Sequence, residues 1–421
     1  MPISQHFSAL IGKGFLHWSV VIGLIVLGIY GEEKLTGQPV VLATEYRIYR
    51  VYRDLNPLPL YPTRTALVLI DDDEYWKGEP ARRVPINRKY LARLVRRVVV
   101  GNPLVIGLDF DLRSPTVDGK PVDNEPYGLE TKELLKAVGE VVARRKVVVL
   151  PDTIGLNRAG KAVRLSAVYD GVKLDPAVRH GFIMPAPDIR RIPLSLPAAG
   201  GGYLDSFAAA MVRAVDDRSL RYLGGSSAFP YSTFLNTKLF PKILAHDIWK
   251  MDDAELEARL AGKIVIVGAA WHRSAYRYGE YIDLHATPAG RVVGANILAT
   301  YVEALLNWHF LKPLNAWIAR IIEFLLALVL AAGIVAFPGR LPGAIAVATI
   351  FLLILVVNYI SYLSFGRFFD ILLPLVLVVV HALVERSREV VRDARAYRRL
   401  HPLTYQEVNK PCTQSTSASP P

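Results

Sequence analysis

Of 421 residues, 52% are apolar and only 21% are charged, a composition with mean hydropathy +0.27 that excludes a wholly soluble protein. The formal charge of +12 has no basic helix, zinc finger or aromatic ribonucleoprotein motif beside it, so the surface favours anionic lipid or an anionic ligand and no nucleic acid partner is expected. A single cysteine, Cys412, excludes an intramolecular disulfide and cysteine-based zinc or iron–sulfur centres.

The apolar excess collects in four runs, Gly14–Tyr30, Trp317–Phe337, Leu341–Phe365 and Phe368–Val384, each near the roughly 20 residues that span a bilayer as a helix. Residues 1–13 read as a cytoplasmic leader and 14–30 as the first span. A cleaved signal peptide is the alternative, disfavoured because Glu32 and Glu33 follow Gly31 where a small-residue cleavage site is needed. Residues 31–62 hold a juxtamembrane helix, Val40–Tyr52, with Leu42, Tyr46, Tyr49 and Tyr52 at three-four spacing, and a linker broken by Pro57, Pro59 and Pro62.

Residues 63–313 form the large domain. A continuous apolar run predicts a strand at Thr65–Ile70, covered on both faces. Helix Asn87–Val100, strand Pro103–Phe110, helix Leu129–Arg144 and strand Lys146–Leu150 follow, an alternation that predicts an α/β fold with a mainly parallel sheet. The stretch 151–229 is less periodic, with a proline-rich segment at Met184–Pro193, a glycine turn at Gly200–Gly202 and a helix at Ser206–Val215. Strand Lys263–Gly268 and helix Val293–Leu306 restore the alternation.

Residues 314–384 are expected to be three membrane helices. Arg320 and Glu323 pair on one face, Asn358 links to a neighbouring helix, Pro374 kinks the fourth helix, and His17 and His381 sit near the inner helix ends, within reach of the interface and with no specific role expected. Residues 385–400 form a basic cytoplasmic helix and 401–421 a polar, disordered tail. Arg386, Arg388, Arg392, Arg395, Arg398 and Arg399 place that end of the last span inside. Both termini are then cytoplasmic and the domain is extracytoplasmic, in a multi-pass protein of a bacterial inner membrane.

Parallel strands present their carboxyl ends to the crevice where α/β proteins bind ligands. The acids there are Asp71, Asp72 and Asp73, then Asp109 and Asp111, then Asp283 beside His285. In Leu108-Asp-Phe-Asp-Leu112 the two aspartates share a face if the strand continues through them. Such acids serve as ligands for a hard divalent cation, or as helix caps and turn formers. Apart from such a cation no cofactor is expected. No G-x-S-x-G, H-E-x-x-H, phosphate-binding loop or dinucleotide fingerprint occurs, and His272 and His285 make only a weak metal pattern.

Several segments together resemble a known family. They are Leu69-Ile-Asp-Asp-Asp-Glu74, Gly107-Leu-Asp-Phe-Asp111, Gly181 with Asp188-Ile-Arg-Arg191, Leu260-Ala-Gly-Lys-Ile-Val-Ile-Val-Gly268, Asp283 with Thr287-Pro288, and Gly290 before a helix ending Ala304-Leu-Leu306. In this order they are similar to the second type of CHASE domain, the extracellular sensory module associated with cyclases and histidine kinases, over about residues 14–384. Members usually carry His-Ala where this chain has Gly294-Ala295, and usually continue into an output enzyme. The resemblance implies an extracytoplasmic sensing or interaction module whose state passes through four helices; with only residues 385–421 after the last span, the expectation is a sensor of an extracytoplasmic ligand that is not itself an enzyme and acts through helix packing, a membrane or cytoplasmic protein partner, or a second copy of itself. A structural or assembly subunit is the alternative reading, and a metal-dependent hydrolase built on the aspartates a further one.

Overall fold

A computed structural model describes residues 15–35, 43, 46–51, 63–80, 86–113, 116–117, 120–121, 125–165, 167–183, 189–216, 220, 231–233, 240–272, 282–287, 290–312, 314–336, 340–365, 369 and 372–400. The expected leader, residues 40–42, 44–45 and 52 of the juxtamembrane helix, its linker, residues 184–188 of the proline-rich segment and the tail 401–421 lie outside these residues, while 46–51 of the juxtamembrane helix are helical. The chain divides into two compact units, one of residues 37–314 with 361–367, the other of residues 1–36, 315–360 and 368–421.

The helices that matter here are, in chain order, α1 (Phe15–Leu35), α2 (Asp72–Lys77), α3 (Arg88–Val100), α4 (Glu125–Ala143), α5 (Phe207–Val215), α6 (Ala245–Ile248), α7 (Asp253–Leu260), α8 (Gly294–Leu306), α9 (Ala316–Ala336), α10 (Arg340–Phe365) and α11 (Leu372–Leu400). The strands are β1 (Thr65–Ile70), β2 (Val105–Asp109), β3 (Val147–Asp152), β4 (Val178–Phe182), β5 (Lys242–Leu244), β6 (Ile264–Ala269), and a hairpin of β7 (Leu284–Thr287) and β8 (Gly290–Val293).

Six strands make one sheet in the order β5-β1-β6-β2-β3-β4, and every neighbouring pair is parallel. Ala66 faces Val265, Val265 faces Ile106, and Ile106 faces Val148, so one row of apolar side chains crosses the middle of the sheet. Every residue of β1 and β6 is buried, because helices cover both faces. On one face Leu91, Val95 and Val98 of α3, Val138 of α4 and Leu256 of α7 join Val68, Ile106, Val148 and Val265 in a single core. The other face is covered by α5 and α8, which are themselves in contact. The domain is therefore an α/β fold with a parallel sheet.

The expected strands at 65–70, 103–110, 146–150 and 263–268 appear as β1, β2, β3 and β6. Two edge strands were not expected. Strand β4 reads Val-Arg-His-Gly-Phe and β5 only Lys-Ile-Leu, and at an edge neither needs the apolar run that marks a central strand. Local chemistry sets the helix starts: Asn87 Oδ1 accepts from Lys89 N at 3.0 Å and Tyr90 N at 3.2 Å, opening α3. Ser206 Oγ accepts from Ala209 N at the start of α5 while donating to Pro193 O at 2.6 Å.

In the helical unit, Ala316–Gly333 of α9 and Ala348–Phe365 of α10 are long and apolar enough to cross a membrane. Only 33% and 22% of these windows is buried, unlike the core helix of a soluble protein. Trp317, Ile321, Leu325 and Val329 form one outward apolar stripe of α9, and Leu352, Val356 and Ile360 one of α10. Helix α1 supplies a shorter apolar stretch, His17–Glu32. Asn358 Oδ1 accepts from Phe369 N at 2.6 Å, so its amide holds the connection to α11. Pro374 falls in the first turn of α11, where its missing N–H costs nothing and no kink results, because the helix begins at Leu372 and not at Phe368. The same helix runs unbroken into the arginine-rich segment.

The cap on α3 gives a first prediction. Asn87→Ala should lower stability by about 1 kcal/mol and Asn87→Gly by only a few tenths. Thermal unfolding of the detergent-solubilised chain reads the difference, and equal losses for both variants would contradict the assigned cap.

Candidate functional site

Most acids at the carboxyl edge of the sheet are held by nearby groups. Asp71 caps α2 through Glu74 N at 3.2 Å and meets His246 Nδ1 at 3.1 Å. Asp72 accepts from His272 N at 2.8 Å, and its other oxygen lies 2.6 Å from His272 Nδ1. Asp73 pairs with Lys77 one turn on, at the exposed surface. Asp111 accepts from Arg113 Nε at 2.8 Å and from Thr153 Oγ1 at 3.2 Å. Burial alone would raise the Asp111 carboxyl, but the Arg113 bonds outweigh it and hold the group below the usual carboxylate range.

Asp109 differs. It ends β2 and lines a recess of about 80 Å³ with Phe182, Phe207, Asp283, His285 and Tyr301. Among the described residues its carboxylate accepts no hydrogen bond. Burial pushes its proton affinity well above the carboxylate norm, and the charge of Asp283 adds to the shift. Asp283 stands just before β7 and its Oδ1 lies 2.7 Å from His285 Nε2, while its backbone carbonyl accepts from Gly294 N at 3.1 Å.

Two glycines make this geometry. A β-carbon at Gly294, the first residue of α8, would stand 1.8 Å from Asp283 Oδ2, so the carboxylate occupies the space a side chain would need. A β-carbon at Gly268 of β6 would stand 2.7 Å from the Ala295 β-carbon and 3.3 Å from Asp109 Oδ2. Helix α8 therefore lies hard against β6, and the two carboxylates share the gap beside it.

The shared face expected for Asp109 and Asp111 does not form, because β2 ends at Asp109. Phe110 turns into the core towards Trp271, with ring centroids 6.4 Å apart, and Asp111 leaves for Arg113. Asp109 is joined instead by Asp283, 174 residues later. His272 and His285 likewise serve separate carboxylates. Among the described residues, the three side chains close enough to hold a metal ion together are His17, His381 and Glu385, all in the helical unit. Alternation along a strand has no information about either convergence.

The chain thus carries an α/β domain, with an acidic, largely apolar recess at the carboxyl edge of its parallel sheet, and apolar helices before and after it in the sequence. The family model of the CHASE2 domain matches residues 21–336, and the chain belongs to that family. CHASE2 domains are sensory and typically extracellular in membrane signalling proteins. No curated protein and no solved structure matches the chain.

The recess makes a pH prediction. Asp109 binds a proton more tightly when folded than when unfolded, so it withholds stability above its raised folded value and nothing below the unfolded value of about 4. Asp109→Asn should therefore melt higher than the wild type at neutral pH, with the gap closing as pH falls towards about 4. A gap that is constant with pH, or reversed at neutral pH, would show that the carboxylate is not under this strain.

Proposed function

We propose that the chain is a membrane-anchored sensor. It crosses a bacterial inner membrane four times, with α1 before the α/β unit and α9, α10 and α11 after it. The α/β unit then lies outside the cytoplasm and both ends of the chain inside. The observation that carries this reading is the family match, which begins within α1 and ends with α9, so the domain and its flanking apolar helices belong to one family unit. Arginines from Arg386 to Arg399 extend α11, as expected of a helix end on the cytoplasmic side.

In this reading the recess is the sensing element. A ligand or proton that changes the charge of the Asp109–Asp283 pair acts directly on Gly294, where α8 starts, and nine residues separate the end of α8 from the start of α9. The signal leaves through the packing of the helices and the arginine-rich end of α11, which engages a protein partner in the membrane or cytoplasm. The arginines hold that segment at the anionic inner leaflet at about 1 kcal/mol each.

Cysteine labelling tests the topology. Cys412 should resist a membrane-impermeant maleimide until the cells are lysed, whereas Lys161→Cys in a Cys412→Ser background, at an exposed turn of the α/β unit, should react in intact cells. The opposite pattern would invert the topology. Gentle extraction and mass spectrometry test the partner: deleting residues 401–421 should leave it bound, and deleting 385–421 should release it. A chain recovered alone, and fully active when reconstituted alone, would end the partner reading.

A further inference from the structure

Helices α1 and α11 run antiparallel in contact along most of α1. Near one end Gly28 packs on Pro374, so closely that a β-carbon at 28 would stand 2.7 Å from Pro374 Cα, and Glu32 Oε1 accepts from Leu373 N at 2.6 Å. Val21 and Ile25 meet Val378 in the middle, with Ala327 and Ala331 of α9. Eleven residues before Gly28 stands His17, and eleven after Pro374 stands Glu385. Equal spacing along two antiparallel helices brings these together: His17 Nδ1 lies 3.1 Å from Glu385 Oε1.

His381, one turn before Glu385 on the same face of α11, completes the group. Its Nε2 is 4.0 Å from Glu385 Oε1, and its ring centroid is 5.4 Å from that of His17. One ligand atom from each of the three lies within 4.8 Å of the others. Two ring nitrogens, Nε2 of His17 and Nε2 of His381, are buried without a hydrogen-bond partner. A desolvated imidazole nitrogen with nothing to bond is costly, and coordination to a cation satisfies it without a proton.

The geometry points to a transition-metal site formed by His17, His381 and Glu385, which ties α1 to α11 where the arginine-rich extension begins. Two imidazoles and one carboxylate select a borderline divalent ion such as Zn²⁺ or Co²⁺ over Mg²⁺ or Ca²⁺, which take oxygen ligands. Tetrahedral zinc needs ligand atoms about 3.3 Å apart, a closure of at most about 1.5 Å from the 4.8 Å within which they lie, on the scale of a side-chain rotation. Three protein ligands leave one position open to water or another donor. Bound metal braces the two helices, so loading of this site sets how freely the extension moves relative to α1. This is independent of the Asp109 recess and of the membrane topology.

The test uses the full chain in detergent, stripped by a chelator and titrated with Zn²⁺ or Co²⁺ alone. One Zn²⁺ per chain should bind and raise the melting temperature, excess Mg²⁺ should not displace it, and Co²⁺ should give a visible ligand-field band. His17→Gln and His381→Gln should each weaken binding at least about tenfold and remove the thermal shift. Glu389→Gln, on the exposed turn beyond, should change neither. If the histidine variants do not fold, X-ray absorption of the zinc-loaded wild type decides: imidazole with carboxylate scattering supports the site, and oxygen-only or sulfur ligation overturns it. Absence of stoichiometric Zn²⁺ in the wild type, or binding that survives both histidine substitutions in folded protein, also overturns it.

Discussion

With no β-carbon at Gly268 or Gly294, helix α8 settles directly on β6, and the space left at its amino end is filled by the Asp283 carboxylate. Asp109, at the end of the next strand, then has an acidic neighbour across the recess, and its own burial sharpens the repulsion. A helix set one side chain further from the sheet would separate the carboxylates and open the recess to solvent. A β-carbon at position 294 would meet the Asp283 carboxylate, so a side chain there and this placement of the acid exclude each other.

Central strands were readable because a parallel sheet covered on both faces demands continuous apolar runs, and Ala-Leu-Val-Leu-Ile in β1 and Ile-Val-Ile-Val in β6 supply them. Edge strands β4 and β5 escape that demand, since one side of each has no neighbour to satisfy. Capping chemistry was partly readable as well: an aspartate directly after β1 begins α2. What no local pattern carries is a meeting of residues far apart in the chain. Asp109 with Asp283 depends on where β6 is inserted between β1 and β2, and His17 with Glu385 depends on which helix lies against α1. Pro374 shows a subtler limit, for its effect reverses once the helix start moves by four residues.

The two acidic or mixed clusters have opposite physical characters. At Asp109 a charge is poorly served by its surroundings, and the group responds by holding its proton. At His17 and His381 one ring nitrogen of each, Nε2, is buried without a hydrogen-bond partner, while His17 Nδ1 meets Glu385. Under the proposals made for them, the first site would answer to acidity or a cationic ligand and the second to metal supply.

The antiparallel contact of α1 with α11 also constrains how the chain is made. Helix α1 leaves the ribosome before the α/β unit and α11 after it. At about 5–20 residues per second, α1 waits on the order of tens of seconds before the surface that receives Gly28 exists. Through that interval its glycine face and the His17 side chain lack the α11 surface that meets them in the folded chain. A chaperone that shields this face would speed assembly without touching the finished structure, and two chains made side by side have time to exchange first helices.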